Sequence, residues 1–138
     1  MARRRTYLVD TSVLHRARDE AVRAQLDPLS RSDVLASCAI VDLEVLYSAR
    51  DARDYESVRL ELSGLLPTGI DAAVLDRARD VQHALARAGH HRVPVPDLVI
   101  AAAAELAGHV VLHYDGHYEQ IARASDQRHE WVVPRGSI

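Results

Sequence analysis

The chain of 138 residues contains no lysine, no phenylalanine and only one cysteine. All 17 basic residues are therefore arginines, and any chemistry that requires a lysine ammonium group is excluded. The single cysteine, Cys38, rules out an intrachain disulfide and fits a cytoplasmic setting. We interpret Cys38 as a buried structural residue.

Long apolar runs are also missing, because no stretch approaches the roughly 20 residues that a membrane span needs. The chain starts with a basic cluster, and no apolar signal region follows it, so we expect no secretory signal. The length predicts one domain covering residues 1–138. A net charge of −3 argues against broad electrostatic binding of nucleic acid, but cations bound at an acidic site would reverse the local sign.

Short apolar segments alternate with helical patterns along the chain. Strands are predicted at residues 6–9, 34–38, 110–114 and 130–133, with a short edge strand at 65–66. Helices are predicted at residues 12–29, 40–49, 51–63, 71–88, 97–107 and 117–124. This alternation predicts an α/β fold with a central parallel sheet and helices on both faces.

Four acidic residues lie at the ends of these segments. Asp10 and Asp115 directly follow predicted strands, and Asp97 and Glu44 lie at or near helix starts. The carboxyl ends of parallel strands meet at one edge, and right-handed crossovers begin their helices there. We therefore expect the four carboxylates to converge. Their mutual repulsion calls for a compensating divalent cation.

The acidic set predicts a metal-dependent enzyme that acts on phosphates. Mg²⁺ and Mn²⁺ prefer oxygen ligands, and the set contains no thiolate. Such ions polarise a phosphodiester, lower the pKa of a bound water and stabilise the leaving oxygen. One further carboxylate that orients the water is then sufficient. The eight histidines show no HExxH pattern, so we do not predict a zinc site.

Each acid also has a structural interpretation. Asp10 and Asp97 can simply cap helices, and Asp115 can be a turn residue. Glu44 lies among apolar residues, where an unpaired carboxylate is costly, which favours a functional role. Ser12 is preferred over its neighbour Thr11 as a residue that supports the site.

Three other polar residues are interpreted as structural. Asp42 is assigned a role in the first helical turn and Glu105 a solvated helix end, although Glu105 could share a face with Asp97. A surface position is favoured for His117, although it could reach the site from the turn after Asp115. For Arg16, Arg18 and Arg50 two readings stay open, contact with RNA phosphates or a solvated helix face. These assignments leave the four acids as the predicted catalytic set.

Four segments carry a family resemblance. The segment 7–12 matches an opening strand with a D-x-S motif, 43–49 a helix with E-L-x-x-G/S-A, 96–102 a helix with D-x-x-I-A-A, and 113–122 a D-x-D-F-x-x-I-A segment. In this order and spacing, the chain resembles the PIN-domain ribonucleases, specifically the VapC toxins of toxin–antitoxin pairs. The last segment departs from the pattern, because His117 stands where many relatives have a second acid and Tyr118 where they have phenylalanine.

The resemblance implies a three-layer α/β/α PIN-like domain with a five-stranded parallel sheet. It implies Mg²⁺- or Mn²⁺-dependent cleavage of single-stranded or loop RNA, such as that of tRNA or rRNA. By motif position, Asp10, Asp97 and Asp115 would bind metal, Glu44 would complete the catalytic set, and Ser12 would support it. The resemblance also implies a homodimer and a VapB-like antitoxin that lies across the site.

Three other functions are compatible with parts of this pattern. A response-regulator-like domain and a haloacid-dehalogenase phosphatase both need a lysine, which the chain lacks. A catalytically inactive PIN-like protein-interaction module stays open as the alternative, although four intact acids argue against it.

Overall fold

The computed structural model describes residues 4–138, so residues 1–3 of the predicted domain and of the basic N-terminal cluster lie outside the described residues. Five strands are present in this part of the chain: β1 (Tyr7–Val9), β2 (Leu35–Cys38), β3 (Leu66–Thr68), β4 (Val110–His113) and β5 (His129–Trp131). All neighbouring strands pair in parallel, in the order β3-β2-β1-β4-β5. This confirms the predicted five-stranded parallel sheet.

Seven helices accompany the sheet within residues 4–138: α1 (Thr11–Leu14), α2 (Glu20–Arg31), α3 (Ala39–Tyr47), α4 (Ala52–Leu62), α5 (Ala72–Arg87), α6 (Val95–Ala107) and α7 (His117–Arg123). None of these helices is both long enough and apolar enough to cross a membrane.

Both faces of the sheet are buried, as adjacent residues in the strands show. Leu8 of β1 and Val111 of β4 belong to the larger core cluster, which also includes residues of α5, α6 and α7. Val9 and Leu112, the next residues along, belong to a second cluster with residues of α1 and α2. Because successive side chains of a strand point to opposite faces, helices must cover both. The three-layer architecture is thus confirmed.

The strand order reverses between β1 and β4. The chain moves from β1 to β2 and β3 on one side of the sheet, and later places β4 and β5 on the other side. Val9 of β1 pairs with Leu112 of β4, and the Asp10 N–H donates to the Leu112 carbonyl at 2.9 Å. The crevice beyond the carboxyl ends of strands at such a reversal is where parallel sheets bind ligands.

The prediction of one helix over residues 12–29 is wrong in one respect. This part of the chain forms two helices, α1 and α2, joined by a turn. Asp19 ends the continuity: its side chain accepts hydrogen bonds from the backbone N–H groups of Ala21 and Val22, at 2.9 and 3.3 Å. An aspartate that caps a new helix competes with continuing the old one. The apolar periodicity of the two helices runs on across the turn and hides the break.

Helix α6 also begins earlier than predicted. It starts at Val95 with Pro94 as the N-cap residue, so Asp97 lies in the first turn and does not cap the helix. The prediction that this helix is central is confirmed, because every residue of the range 98–104 is buried. The last strand, β5, covers 129–131 instead of 130–133.

Candidate active site

Asp10 forms the buried floor of the site, directly after β1. It is only 3% exposed, and its carboxylate accepts three hydrogen bonds. Ser12 donates two of them, from its backbone N–H at 3.0 Å and its hydroxyl at 2.5 Å, and the Tyr118 hydroxyl donates the third at 2.6 Å. A buried carboxylate with three donors is held in one orientation. Asp10 also caps α1 through the Ser12 N–H, so capping and placement at the site occur together.

Ser12 connects the ends of β1 and β4. Besides donating to Asp10, its hydroxyl oxygen accepts the backbone N–H of Tyr114 at 2.9 Å. Tyr114 immediately precedes Asp115, so this bond ties the loop that carries Asp115 to the end of β1. The supporting role of Ser12 in catalysis stays a prediction.

Tyr118 is a site residue whose role the sequence analysis missed. Its side chain is fully buried in the larger core cluster. Burial and the nearby carboxylate of Asp10 raise the pKa of the Tyr118 phenol well above its usual value. The hydroxyl therefore stays protonated and donates to Asp10. The only signal in the sequence was a hydroxyl where the resembling motif has phenylalanine.

Asp97, Asp115 and His117 converge, and the charge of Asp10 acts on Asp97. One potential ligand atom from each lies within 4.8 Å of the others. The Nδ1 atom of His117 is 2.9 Å from Asp115 Oδ1 and 3.1 Å from Asp97 Oδ2. The sequence favoured a surface position for His117 and left open that it reaches the site. Its side chain is 41% exposed, yet its ring faces both acids.

The negative charge of this cluster is only partly compensated. Burial, followed by the charges of Asp10 and Asp115, raises the pKa of Asp97 to about 7, and His117 only partly opposes this. Across residues 4–138, no arginine forms an ion pair with Asp10, Asp97 or Asp115. The donor set is rich in oxygen and negatively charged, and it has no arginine partner, so it fits a hard divalent cation such as Mg²⁺ or Mn²⁺.

His113 orients Asp115 from below. It is fully buried, and burial together with His129 lowers the pKa of His113 to about 3, so the ring is neutral. Its Nδ1 accepts the Asp115 backbone N–H at 3.1 Å, which places the ring proton on Nε2, and Nε2–H donates to His129 Nδ1 at 2.8 Å. This role of His113 was also missed, because the pairing with His129 crosses from β4 to β5.

Glu44 lies on α3 and is not part of the group that Asp97, Asp115 and His117 form. Its Oε1 atom accepts a hydrogen bond from the Thr11 hydroxyl at 2.9 Å, and its side chain is half-buried. Thr11 follows Asp10, so the contact brings α3 to the end of β1. Glu44 and Thr11 also line an open cleft together with His15, Leu43, Tyr47 and Ser48.

The interpretation of Glu105 as a solvated residue at a helix end is wrong. It is not a solvated helix end, because Arg77 donates two hydrogen bonds to its carboxylate at 2.9 and 3.0 Å, joining α5 to α6. Asp42 lies in the first turn of α3, as predicted, and accepts a hydrogen bond from the Ser37 hydroxyl.

The three arginines that are candidates for RNA contacts lie in two places. Arg16 donates to the Ser12 carbonyl at 2.8 Å and its guanidinium lies 4.8 Å from the centre of the Tyr114 ring. Arg18 and Arg50 line a second groove next to α4, where Arg50 pairs with Asp54 at 3.3 Å. Arg16 thus contacts α1, whereas Arg18 and Arg50 share the groove next to α4.

Comparison with known proteins identifies sequence relatives over nearly the whole chain. Residues 7–124 match the PIN domain family. Ribonuclease VapC18 of Mycobacterium tuberculosis is 46% identical over 136 residues, covering 96% of this chain and 98% of the relative. Ribonuclease VapC51 of the same organism is 40% identical over 132 residues, covering 96% of each chain.

Solved structures with the same fold are more distant in sequence. A chain of the DNA-bound VapBC structure from Salmonella typhimurium aligns with a TM-score of 0.77 at 20% identity, covering 94% of this chain and 100% of that one. A chain of VapBC-1 from nontypeable Haemophilus influenzae aligns with a TM-score of 0.78 at 15% identity, covering 94% and 99%. At these identities the likeness concerns the fold.

Proposed function

Because the chain belongs to the PIN-domain family, and within it to the VapC group, we propose that it is a Mg²⁺- or Mn²⁺-dependent endoribonuclease that hydrolyses single-stranded or loop RNA. The observation that carries the proposal is the convergence of Asp97, Asp115 and His117, with the charge of Asp10 acting on Asp97 and no arginine paired with these acids in the described chain. Retaining such repulsion costs stability, and a bound cation removes that cost.

Each acid has a distinct task in this proposal. Asp10, Asp97 and Asp115 would hold the cation, and Ser12 fixes the Asp10 carboxylate. Glu44, on the neighbouring helix, orients the attacking water. When bound, the cation polarises the phosphodiester and lowers the pKa of its water.

We further propose that the protein acts as a toxin in the cytoplasm, as a homodimer, and that a VapB-like antitoxin neutralises it. The two relatives above are named Ribonuclease VapC, and the similar folds come from structures named VapBC. An antitoxin arginine placed between Asp97 and Asp115 would compensate the same charge that the cation compensates. We also propose that residues 1–138 form a single PIN domain, of which residues 7–124 match the family.

The test is cleavage of RNA by purified protein, with Mn²⁺ or Mg²⁺ and with EDTA. Wild type is expected to cut only with metal. Asp97→Asn is expected to be inactive while it folds normally, and Asp80→Asn, at an exposed position of α5, serves as the matched control with full activity. An inactive but metal-binding wild type would favour the alternative, an inactive PIN-like interaction module.

The toxin assignment has a separate test in cells. Expression of the wild type alone is expected to arrest growth, whereas Asp97→Asn at the same protein level is expected to be tolerated. Normal growth with soluble wild-type protein would count against a toxin, even if the purified protein cuts RNA.

A further inference from the structure

His117 holds a position at the site, which the sequence left open as the less favoured alternative. It is the first residue of α7, and its ring lies between the carboxylates of Asp97 and Asp115. Its backbone N–H donates to Asp115 Oδ1 at 2.9 Å, so backbone and ring of one residue contact the same acid. The start of α7 and the Asp115 side chain are thereby fixed relative to each other.

We propose that His117 supplies a nitrogen ligand, Nδ1, to the cation of the proposed nuclease site, so that the site selects Mn²⁺ over Mg²⁺. The inference rests on the proposed function, since it takes the cation there as given. It goes beyond that function by assigning a ligand of a different chemical kind and a preference between metals.

The spacing of the ligand atoms supports this assignment. His117 Nδ1 lies 2.9 Å from Asp115 Oδ1 and 3.1 Å from Asp97 Oδ2. Adjacent ligands of an octahedral ion with bonds of about 2.1 Å are about 3 Å apart. The nitrogen therefore already has the separation from each oxygen that neighbouring ligands of one ion require.

A hydrogen-bonding role alone accounts less well for the contacts. Nδ1 can carry only one proton, and it faces two carboxylates. Its hydrogen bond goes to Asp97, while Asp115 Oδ1 already receives the backbone N–H of His117. One shared proton leaves negative charge in the cluster, whereas a divalent ion would satisfy all three ligand atoms.

The exposure of the ring gives the ion a route into the site. The His117 side chain is 41% exposed, compared with 12% for Asp97 and 32% for Asp115. An ion that approaches from solvent meets the imidazole at the outer side of the cluster. The nitrogen is thus at the entrance and not behind the carboxylates.

The metal preference follows from ligand chemistry. Mg²⁺ is a hard ion that takes oxygen ligands and keeps several waters. Imidazole nitrogen suits first-row transition metals better than it suits Mg²⁺. Replacing one oxygen by nitrogen therefore favours Mn²⁺ relative to Mg²⁺.

The experiment uses Mn²⁺ alone as the probe, bound to the full-length protein and observed by pulsed electron paramagnetic resonance. Wild type is expected to show nitrogen hyperfine coupling from a directly bound imidazole, and His117→Asp, which offers only oxygen, is expected to lose it. His15→Ala is the matched control: this exposed histidine lines the cleft beside Glu44, and its removal should leave the coupling intact.

Competition between the two metals gives a second readout. In His117→Asp, the ratio of Mn²⁺ affinity to Mg²⁺ affinity is expected to fall about tenfold or more. Losing a partner outside the ligand shell already costs about 10–100-fold in metal affinity, and the lower end of that range is the minimum expected for a direct ligand. Thermal unfolding confirms that the variant is folded.

The outcomes separate this inference from the proposed function. Tight Mn²⁺ binding by wild type without nitrogen coupling, or an unchanged affinity ratio in His117→Asp, overturns the ligand role of His117 and leaves a metal-dependent nuclease standing. A wild type that binds Mg²⁺ but not Mn²⁺ overturns the inference alone, whereas failure to bind either ion overturns both.

Discussion

Replacing Asp97 by asparagine should stabilise the metal-free protein at neutral and alkaline pH. The folded state raises the pKa of Asp97 from 3.8 to about 7, mainly through burial and then through repulsion from Asp10 and Asp115. Three pH units correspond to roughly 4 kcal/mol, at about 1.4 kcal/mol per unit. Asp97 is 12% exposed, so solvent screens only part of this, and the figure is an upper bound. Asparagine keeps the shape and removes the charge.

The pH dependence has a definite direction. Between about pH 4 and pH 7 the unfolded chain has already released the Asp97 proton while the folded protein still holds it, so folded wild type loses stability as pH rises. Above about pH 7 the loss is complete. The advantage of Asp97→Asn should therefore be greatest near pH 8 and should shrink towards pH 4.

Urea unfolding in EDTA, followed by circular dichroism at several pH values, measures this difference. Asp80→Asn, at an exposed position, provides the matched control and should show no comparable pH-dependent gain. Adding Mn²⁺ should stabilise wild type much more than Asp97→Asn. A variant that is less stable than wild type near pH 8 without metal, or an advantage that does not shrink on acidification, would refute the reasoning.

Three further variants test the supports around the site. Tyr118→Phe removes the buried donor to Asp10 and should cost about 1–3 kcal/mol of unfolding free energy in urea; wild-type stability would contradict its role. His113→Phe leaves the Asp115 N–H without its acceptor and should weaken Mn²⁺ binding roughly 10–100-fold in a titration, so an unchanged affinity would count against it. A double-mutant cycle replacing Arg77 and Glu105 by alanine should give a coupling of about 1 kcal/mol, whereas additive effects would show that the pair contributes nothing.

Much of the fold followed from local pattern. Short apolar segments alternating with amphipathic ones predicted a parallel sheet, and the near-uniform apolar character of 98–104 predicted a central helix. These patterns are readable because burial depends on a period of two or of 3.6 residues. This pattern could not predict the break between α1 and α2. Asp19 accepts hydrogen bonds from two backbone N–H groups and starts a new helix, but it does not change the spacing of the apolar residues.

The sequence alone placed Asp10 and Asp115 after strands and Asp97 and Glu44 near helix starts, because the end of a strand or helix is a local property. That these four form the catalytic set stays a prediction. Tertiary structure decided which partners each acid meets: Tyr118 reaches Asp10 across 108 positions, and His117 reaches Asp97 across 20. Such contacts depend on how the crossovers dock α6 and α7 against the sheet, and no residue encodes that docking by itself. The same docking joined Arg77 to Glu105 and left Asp97 and Asp115 with a histidine between them instead of an arginine.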